Sequence, residues 1–290
     1  MKSLLIISAT GRSGSTTVSC LLARHLQCAC RCRVLVLDLA DPPRCAHVLA
    51  GLGFDAIASS NQVVAPKEKG RCVSGGCVHV LNANTVDALV LRDDPDRTRY
   101  YANLRHLLST AARWFDVCLI DAPALPDLRA VCAEALVDAA LSPVPMSAGC
   151  LSCASEVING TYGIRNVRAR LNPALRFTGI LPVATTPAAM EEAWMKMMET
   201  TLREWLIADV ASPRGYVWLP HLTSGRHMGS LTPGESGRAA RDAGVHEDLP
   251  EEPPENIRAK AACLDVLAHR LEAIEDATVP ALRHGEACDA

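Results

Sequence analysis

The chain has 290 residues, 49 % apolar and 21 % charged, which is enough to bury a substantial core and excludes an intrinsically disordered protein. Its 29 basic and 32 acidic residues leave a formal net charge of −3, so no global positive field draws it to nucleic acid or anionic lipid, and such binding needs a local patch. Aromatics are only 4 %, so the core rests on Ala, Val, Leu and Ile, a bias suited to helices packed on a parallel sheet.

The first apolar run, SLLIIS (3–8), reads as a strand. It is too short for the apolar region of a signal peptide or for a membrane span, and no later run approaches the roughly 18 uninterrupted apolar residues of a span. The sequence therefore reads as cytoplasmic, with no membrane partner. Next come ATGRSGSTTVSCLLARHL (9–26) and a helix predicted over 16–29. RVLVLDL (33–39), VHVLNA (78–83), DVCLIDA (116–122), AALSPVP (139–145), FTGILPV (177–183) and YVWLP (216–220) are the further candidate strands. Most are nearly continuous apolar runs, as expected when both faces of a strand are covered. Helical patterns at 98–114, 127–137, 152–171, 188–208 and 256–275 alternate with them, which is the mark of βαβ units.

Met190, Trp194, Met197, Met198, Leu202 and Trp205 lie along one side of the 188–208 helix. Ile257, Ala261, Leu264, Leu267, Leu271 and Ile274 do the same in the last helix, and both stripes are expected to pack on the sheet. Residues 223–256, rich in Gly, Pro and acids, read as a mobile excursion, and 277–290 as a flexible tail. Residues 1–276 then form a single α/β domain: three layers, with a mostly parallel twisted sheet and helices on both faces.

A phosphate-binding loop needs glycines that let backbone N–H groups converge at a helix N-terminus, a lysine for mobile positive charge, and a Ser/Thr hydroxyl for Mg²⁺. Gly11 and Gly14 supply the first and Thr16 the last, between a strand and a helix, but Ser15 stands in the lysine's place. Arg12 is either a substitute cation for phosphate or a solvated surface arginine. Asp38 and Asp121 end predicted strands, either as functional acids or as simple strand terminators.

The thirteen cysteines include the groups Cys28, Cys30, Cys32; Cys72, Cys77; and Cys150, Cys153. In a reducing compartment these are thiols or metal ligands rather than disulfides. Cys150 and Cys153 form a C-x-x-C pair, and two copies of the chain would bring four thiolates, enough for one zinc or an iron–sulfur cluster. Arg165, Arg168, Arg170 and Arg176, with Arg258, Lys260 and Arg270, make either a local phosphate-neutralising surface or ordinary helix faces.

These motifs, in their order, resemble the ParA/MinD group of P-loop ATPases. The group's deviant Walker A loop, K-G-G-x-G-K-T-[ST], aligns with Thr10, Gly11, Arg12, Ser13, Gly14, Ser15, Thr16 and Thr17, so this chain resembles a degenerate member lacking both loop lysines. RVLVLDLADPPRCAHVLAGLG is similar to the group's second motif, with one extra residue, and WFDVCLIDAPALPD to its Walker B segment. RARLNPALRFTGILPV resembles the approach to a later strand, and VWLP a strand whose following turn, near Pro220, touches adenine. The likeness spans roughly residues 3–222.

The resemblance implies a P-loop fold and an ATP site built from Gly11, Arg12, Ser13, Gly14, Ser15, Thr16, Thr17 and Pro220. Thr16 and Asp121 would hold Mg²⁺, Asp38 would orient water, and Arg12 would supply charge. It implies a homodimer engaged in plasmid partition, DNA segregation or another positioning task, with a DNA- or cargo-bound adaptor and non-specific DNA as partners. Two alternatives stay open: a nucleotide-independent pseudo-ATPase that pairs with a partner protein, and a dimer-bridging metal protein using Cys150 and Cys153.

Overall fold

Strands that alternate their side chains between two covered faces need apolar residues at every position, and the central strands here have them. In β1 (Lys2–Ile6) and the residue after it, Leu4 and Ile6 enter one core while Leu5 and Ile7 enter another. The same alternation divides Val34 and Val36 from Leu35 and Leu37 in β2 (Arg33–Asp38), and Val117 and Leu119 from Cys118 and Ile120 in β5 (Val117–Asp121). Both faces of the sheet are thereby dry.

The computed structural model describes residues 1–52, 57–60, 76–82, 94–185, 188–209, 211–212, 214–221 and 254–274. With β3 (Ile57–Ser60), β4 (Cys77–Asn82), β6 (Ala139–Pro145) and β7 (Arg176–Val183), the sheet has seven strands among the described residues, in the order β3-β4-β2-β5-β1-β6-β7. Every pairing is parallel. The helices are α1 (Ser15–Cys28), α2 (Cys45–Gly51), α3 (Asp94–Ala111), α4 (Leu128–Glu134), α5 (Cys150–Asn159), α6 (Ile164–Arg170), α7 (Ala188–Leu202) and α8 (Pro254–Glu272). Residues of α1 and α8 fill one core, those of α3, α4 and α6 the opposite one, and those of α5 and α7 a third beside β6 and β7. The predicted three-layer α/β architecture is the observed one.

Four local expectations need correction. The helix expected over 152–171 is two: the chain leaves helical geometry at Gly160 (ψ 166°) between α5 and α6, in a turn where a Cβ would lie 2.4 Å from the Glu156 carbonyl oxygen, so that it requires glycine. YVWLP adds no strand to the sheet; Leu219 makes an isolated parallel bridge to Val183, and Tyr216 an antiparallel one to Ala208. The seven-residue α2 and the four-residue β3 were not expected at all. The helix expected to reach 208 ends at Leu202 and passes into a 3₁₀ turn, Arg203–Trp205.

Both apolar stripes pack as expected where they are described. Met198 and Leu202 enter the third core with Met195, flanked by half-buried Trp194, Met197 and Trp205. Leu264, Leu267, Leu271 and Ile274 of the last stripe lie in the first core. The side chain of Met190, most of the 223–256 excursion and the 277–290 tail lie outside the described residues. Among the described residues no helix is long and apolar enough to cross a membrane.

Candidate functional site

Parallel pairing puts the C-terminal ends of β1, β5 and β2 side by side, with Ile6 opposite Asp121 and Asp121 opposite Asp38. The loop after β1 leads from this edge into α1. The site is therefore fixed by register: three adjacent strand ends deliver two acids and one glycine turn to a single place.

Within the loop, Ser8 Oγ donates to the Thr10 carbonyl at 3.1 Å, and Thr10 Oγ1 lies 3.5 Å from Cys153 Sγ. Gly11 and Arg12 are exposed. Arg12 has φ 61°, a left-handed conformation that costs a non-glycine residue roughly 1–2 kcal/mol. Gly14 also has positive φ, 89°, and its carbonyl accepts from Val18 N at 2.9 Å to begin α1. There glycine removes the strain that Arg12 carries.

No acidic side chain lies in the first turn of α1 and no side chain caps it, so its leading amides are left for an anion. Ser13 and Ser15 are buried, with hydroxyls 2.7 Å apart. The position of the expected lysine is thus occupied by a short polar pair. Thr17 is half-buried, the third residue of α1.

Thr16 Oγ1 donates to Asp121 Oδ2 at 2.7 Å, joining the loop to the end of β5. Asp121 is 1 % exposed, and its other oxygen, Oδ1, has no hydrogen bond among the described residues. Burial raises its pKa to about 6, helped by the negative charge of Asp38 and opposed by Thr16, Cys45 and Ser19. Ser19 Oγ is near enough to exert that effect without reaching hydrogen-bond geometry.

Asp38 is fully buried and its carboxylate accepts from three backbone N–H groups. Oδ1 accepts from Ala40 N at 3.0 Å, and Oδ2 accepts from Arg44 N at 2.7 Å and Cys45 N at 2.8 Å. Arg44 begins α2 without a cap of its own, so Asp38 caps that helix from the end of β2. This explains how seven residues with no local start signal hold a helix. It also delivers Cys45, whose Sγ lies 3.5 Å from Asp121 Oδ2, into the acidic pair.

The donor set tests whether Mg²⁺ fits. A threonine hydroxyl on a buried carboxylate with one unbonded oxygen is hard, oxygen-rich and short of positive charge, which suits Mg²⁺. Thr16 and Asp121 are the residues that would hold it.

Pro220 is buried just past Leu219, whose N–H donates to the Pro182 carbonyl at 2.8 Å and whose carbonyl accepts from Ala184 N at 2.9 Å. Val183, bridged to Leu219, also faces Gly14. Pro220 therefore follows a residue bridged to the strand end that packs beside Gly14. The structure thus gathers Thr16, Asp38 and Asp121, carries Arg12 on the loop's outer side, and sets Pro220 to one side.

Cys150 is buried in the third core while Cys153 is half-buried, so the C-x-x-C pair does not present two outward thiols. Arg165, Arg168, Arg170 and Arg176 are all exposed, as are Arg258 and Arg270. Lys260, grouped with them on sequence, is instead 0 % exposed inside α8. Two thiols escaped notice in the sequence. Cys45 and Cys20 meet behind the acids, with Cys20 Sγ 3.6 Å from the Cys45 carbonyl. Their contact, burial and the two aspartates push the Cys45 thiol well above its ordinary pKa.

No family model matches the sequence, and no curated protein matches it. Solved structures do match. An ATP complex of Cyanothece McdA is 15 % identical with a TM-score of 0.59, over 92 % of this chain and 96 % of that one. The pNOB8 ParA bound to nonspecific DNA is 14 % identical with a TM-score of 0.56, over 94 % and 99 %. Cobyrinic acid a,c-diamide synthase from Mycobacterium smegmatis, with a bound ATP analogue and magnesium, is 17 % identical with a TM-score of 0.55, over 94 % and 96 %. The chain has the fold of ParA/MinD-like P-loop ATPases.

Proposed function

We propose that this chain is a ParA-like positioning protein that binds ATP with Mg²⁺ and acts on plasmid or mobile-element DNA, or on another cargo, through a DNA- or cargo-bound adaptor. The observation that carries the reading is the Thr16–Asp121 hydrogen bond beside Asp38, at three adjacent strand ends that also carry a glycine turn. The structural neighbours fit it: one is a McdA complex with ATP and another a ParA on nonspecific DNA.

Phosphoryl transfer in such a site is positioning and charge neutralisation, with little covalent work by the protein. Bound Mg²⁺ supplies the principal neutralising charge. The leading amides of α1 and the Ser13 and Ser15 hydroxyls would bind the phosphates, and Thr16 and Asp121 would hold the cation. Asp38, fixed by three amides, keeps a lone pair on Oδ1 with which to orient water.

Losing two loop lysines removes several kcal/mol of phosphate stabilisation, of which Arg12 can restore a part. Its exposed guanidinium makes no hydrogen bond or ion pair among the described residues, so it would be free to pair with a phosphate in its own subunit or across a homodimer. The exposed Arg165, Arg168, Arg170 and Arg176 are the local basic residues for non-specific DNA.

The second reading, a nucleotide-independent module pairing with a partner protein, draws on the Ser13–Ser15 contact, in which neighbouring hydroxyls satisfy each other. Titration with ATP in the presence and absence of Mg²⁺ separates the two. Saturable Mg²⁺-dependent binding supports the ATPase-like reading, and no binding at millimolar nucleotide leaves the pairing module.

A further inference from the structure

Thr16 and Asp121 offer only oxygen to a cation, but Cys45 places sulfur on the same carboxylate. The ligand atoms of Asp38, Cys45 and Asp121 all lie within 4.8 Å of one another, and all three residues are buried. A zinc ion bonded to sulfur at about 2.3 Å and to a carboxylate oxygen at about 2.0 Å, at the tetrahedral angle, sets the two ligand atoms about 3.5 Å apart. Cys45 Sγ and Asp121 Oδ2 are 3.5 Å apart. Asp121 Oδ1, on a side chain 1 % exposed, has no hydrogen bond among the described residues, so the carboxylate retains ligand capacity. Asp38 Oδ1 accepts a single amide and keeps a lone pair for a third bond.

We infer that Cys45, Asp121 and Asp38 form a binding site for a zinc-class divalent cation, with a fourth position open to water or a phosphate oxygen. A thiolate with carboxylates favours zinc-class ions over Mg²⁺, which demands oxygen ligands in octahedral array. On binding, Cys45 releases its thiol proton to solvent as the sulfur–metal bond forms, with no change in oxidation state. Because Asp121 belongs to both donor sets, an ion held by Cys45 competes with the Mg²⁺ side of the proposed nucleotide site. The binding itself requires no nucleotide, so it stands or falls separately from that reading.

The test is a titration of the nucleotide-free full chain with Co²⁺, followed by absorbance. The site predicts a near-ultraviolet thiolate-to-cobalt charge-transfer band and strong visible bands of four-coordinate cobalt, saturating at one equivalent and displaced by Zn²⁺, with one proton released per cobalt. Cys45→Ser abolishes the charge-transfer band assigned to this site while circular dichroism stays native. Asp121→Asn keeps the thiol and weakens cobalt binding at least tenfold, and it serves as the second variant should Cys45→Ser fail to fold. Absence of the band, or a band equally strong in Cys45→Ser or in Asp121→Asn, overturns the inference, since the signal would then come from other thiols.

Discussion

Replacing Glu134 by glutamine should stabilise the protein by an amount that grows with pH. Glu134 ends α4, is 0 % exposed, and neither carboxylate oxygen has a hydrogen-bond donor among the described residues, although its backbone carbonyl accepts from Asn172 Nδ2 at 3.0 Å. A negative charge at a helix C-terminus is unfavourable as well. Burial raises its pKa from 4.5 to about 8. Between those values the folded protein keeps a proton that the unfolded chain releases. The Glu134 contribution to stability is therefore most favourable below about pH 4.5, falls as pH rises through the window, and levels off above about pH 8.

At about 1.4 kcal/mol per pH unit, the cost to the native protein is on the order of 3 kcal/mol at pH 7 and under about 1 kcal/mol at pH 5. Glutamine has nearly the same shape without the charge. Any penalty for its own unbonded amide is independent of pH, so the slope is the diagnostic. Urea unfolding of both proteins at several pH values, with m held common, measures it. The stability difference should move in favour of Glu134→Gln by roughly 2–3 kcal/mol from pH 5 to pH 7. A difference that stays flat with pH would refute the reasoning, because the carboxylate would then be hydrated or paired in solution.

Three further outcomes are expected. Asp38→Ala removes the acceptor of three backbone N–H groups and the cap of α2, and should cost on the order of 3 kcal/mol without any nucleotide; thermal unfolding of the nucleotide-free protein reads it, and a loss under about 0.5 kcal/mol contradicts the anchoring role. Arg12→Gly relieves the left-handed backbone and should raise stability by about 1 kcal/mol while weakening ATP binding about tenfold; unchanged ATP affinity would show Arg12 to be a solvated surface side chain. Ser15→Lys restores the loop cation, and an increase of about tenfold in ATP affinity is expected by calorimetry; no increase would mean that the buried Ser13–Ser15 position has no open path to phosphate.

The parts of this molecule legible in the sequence were those encoded by long local patterns. Apolar runs such as RVLVLDL and DVCLIDA located strands, and the acids at their ends marked the edge where Asp38 and Asp121 meet. What escaped was held by distant partners. The helix α2 lacks a local cap and depends on a carboxylate six residues upstream of Arg44. Cys45 looked like one thiol among thirteen until that cap carried it to Asp121. Lys260 carries the charge of a surface residue, but its place on α8 faces the core, and charge alone does not reveal a helix face. The break after Asn159 is a tight turn at Gly160 that leaves no room for a Cβ, a backbone feature that an apolar periodicity does not register.

The most direct test of the central claim is calorimetric titration of the protein with ATP, with and without Mg²⁺, alongside Thr16→Val. The Thr16–Asp121 arrangement predicts saturable binding with a Kd below about 1 mM, dependent on Mg²⁺ and lost in a folded Thr16→Val variant. No binding at millimolar ATP, or binding indifferent to both Mg²⁺ and Thr16, would contradict it.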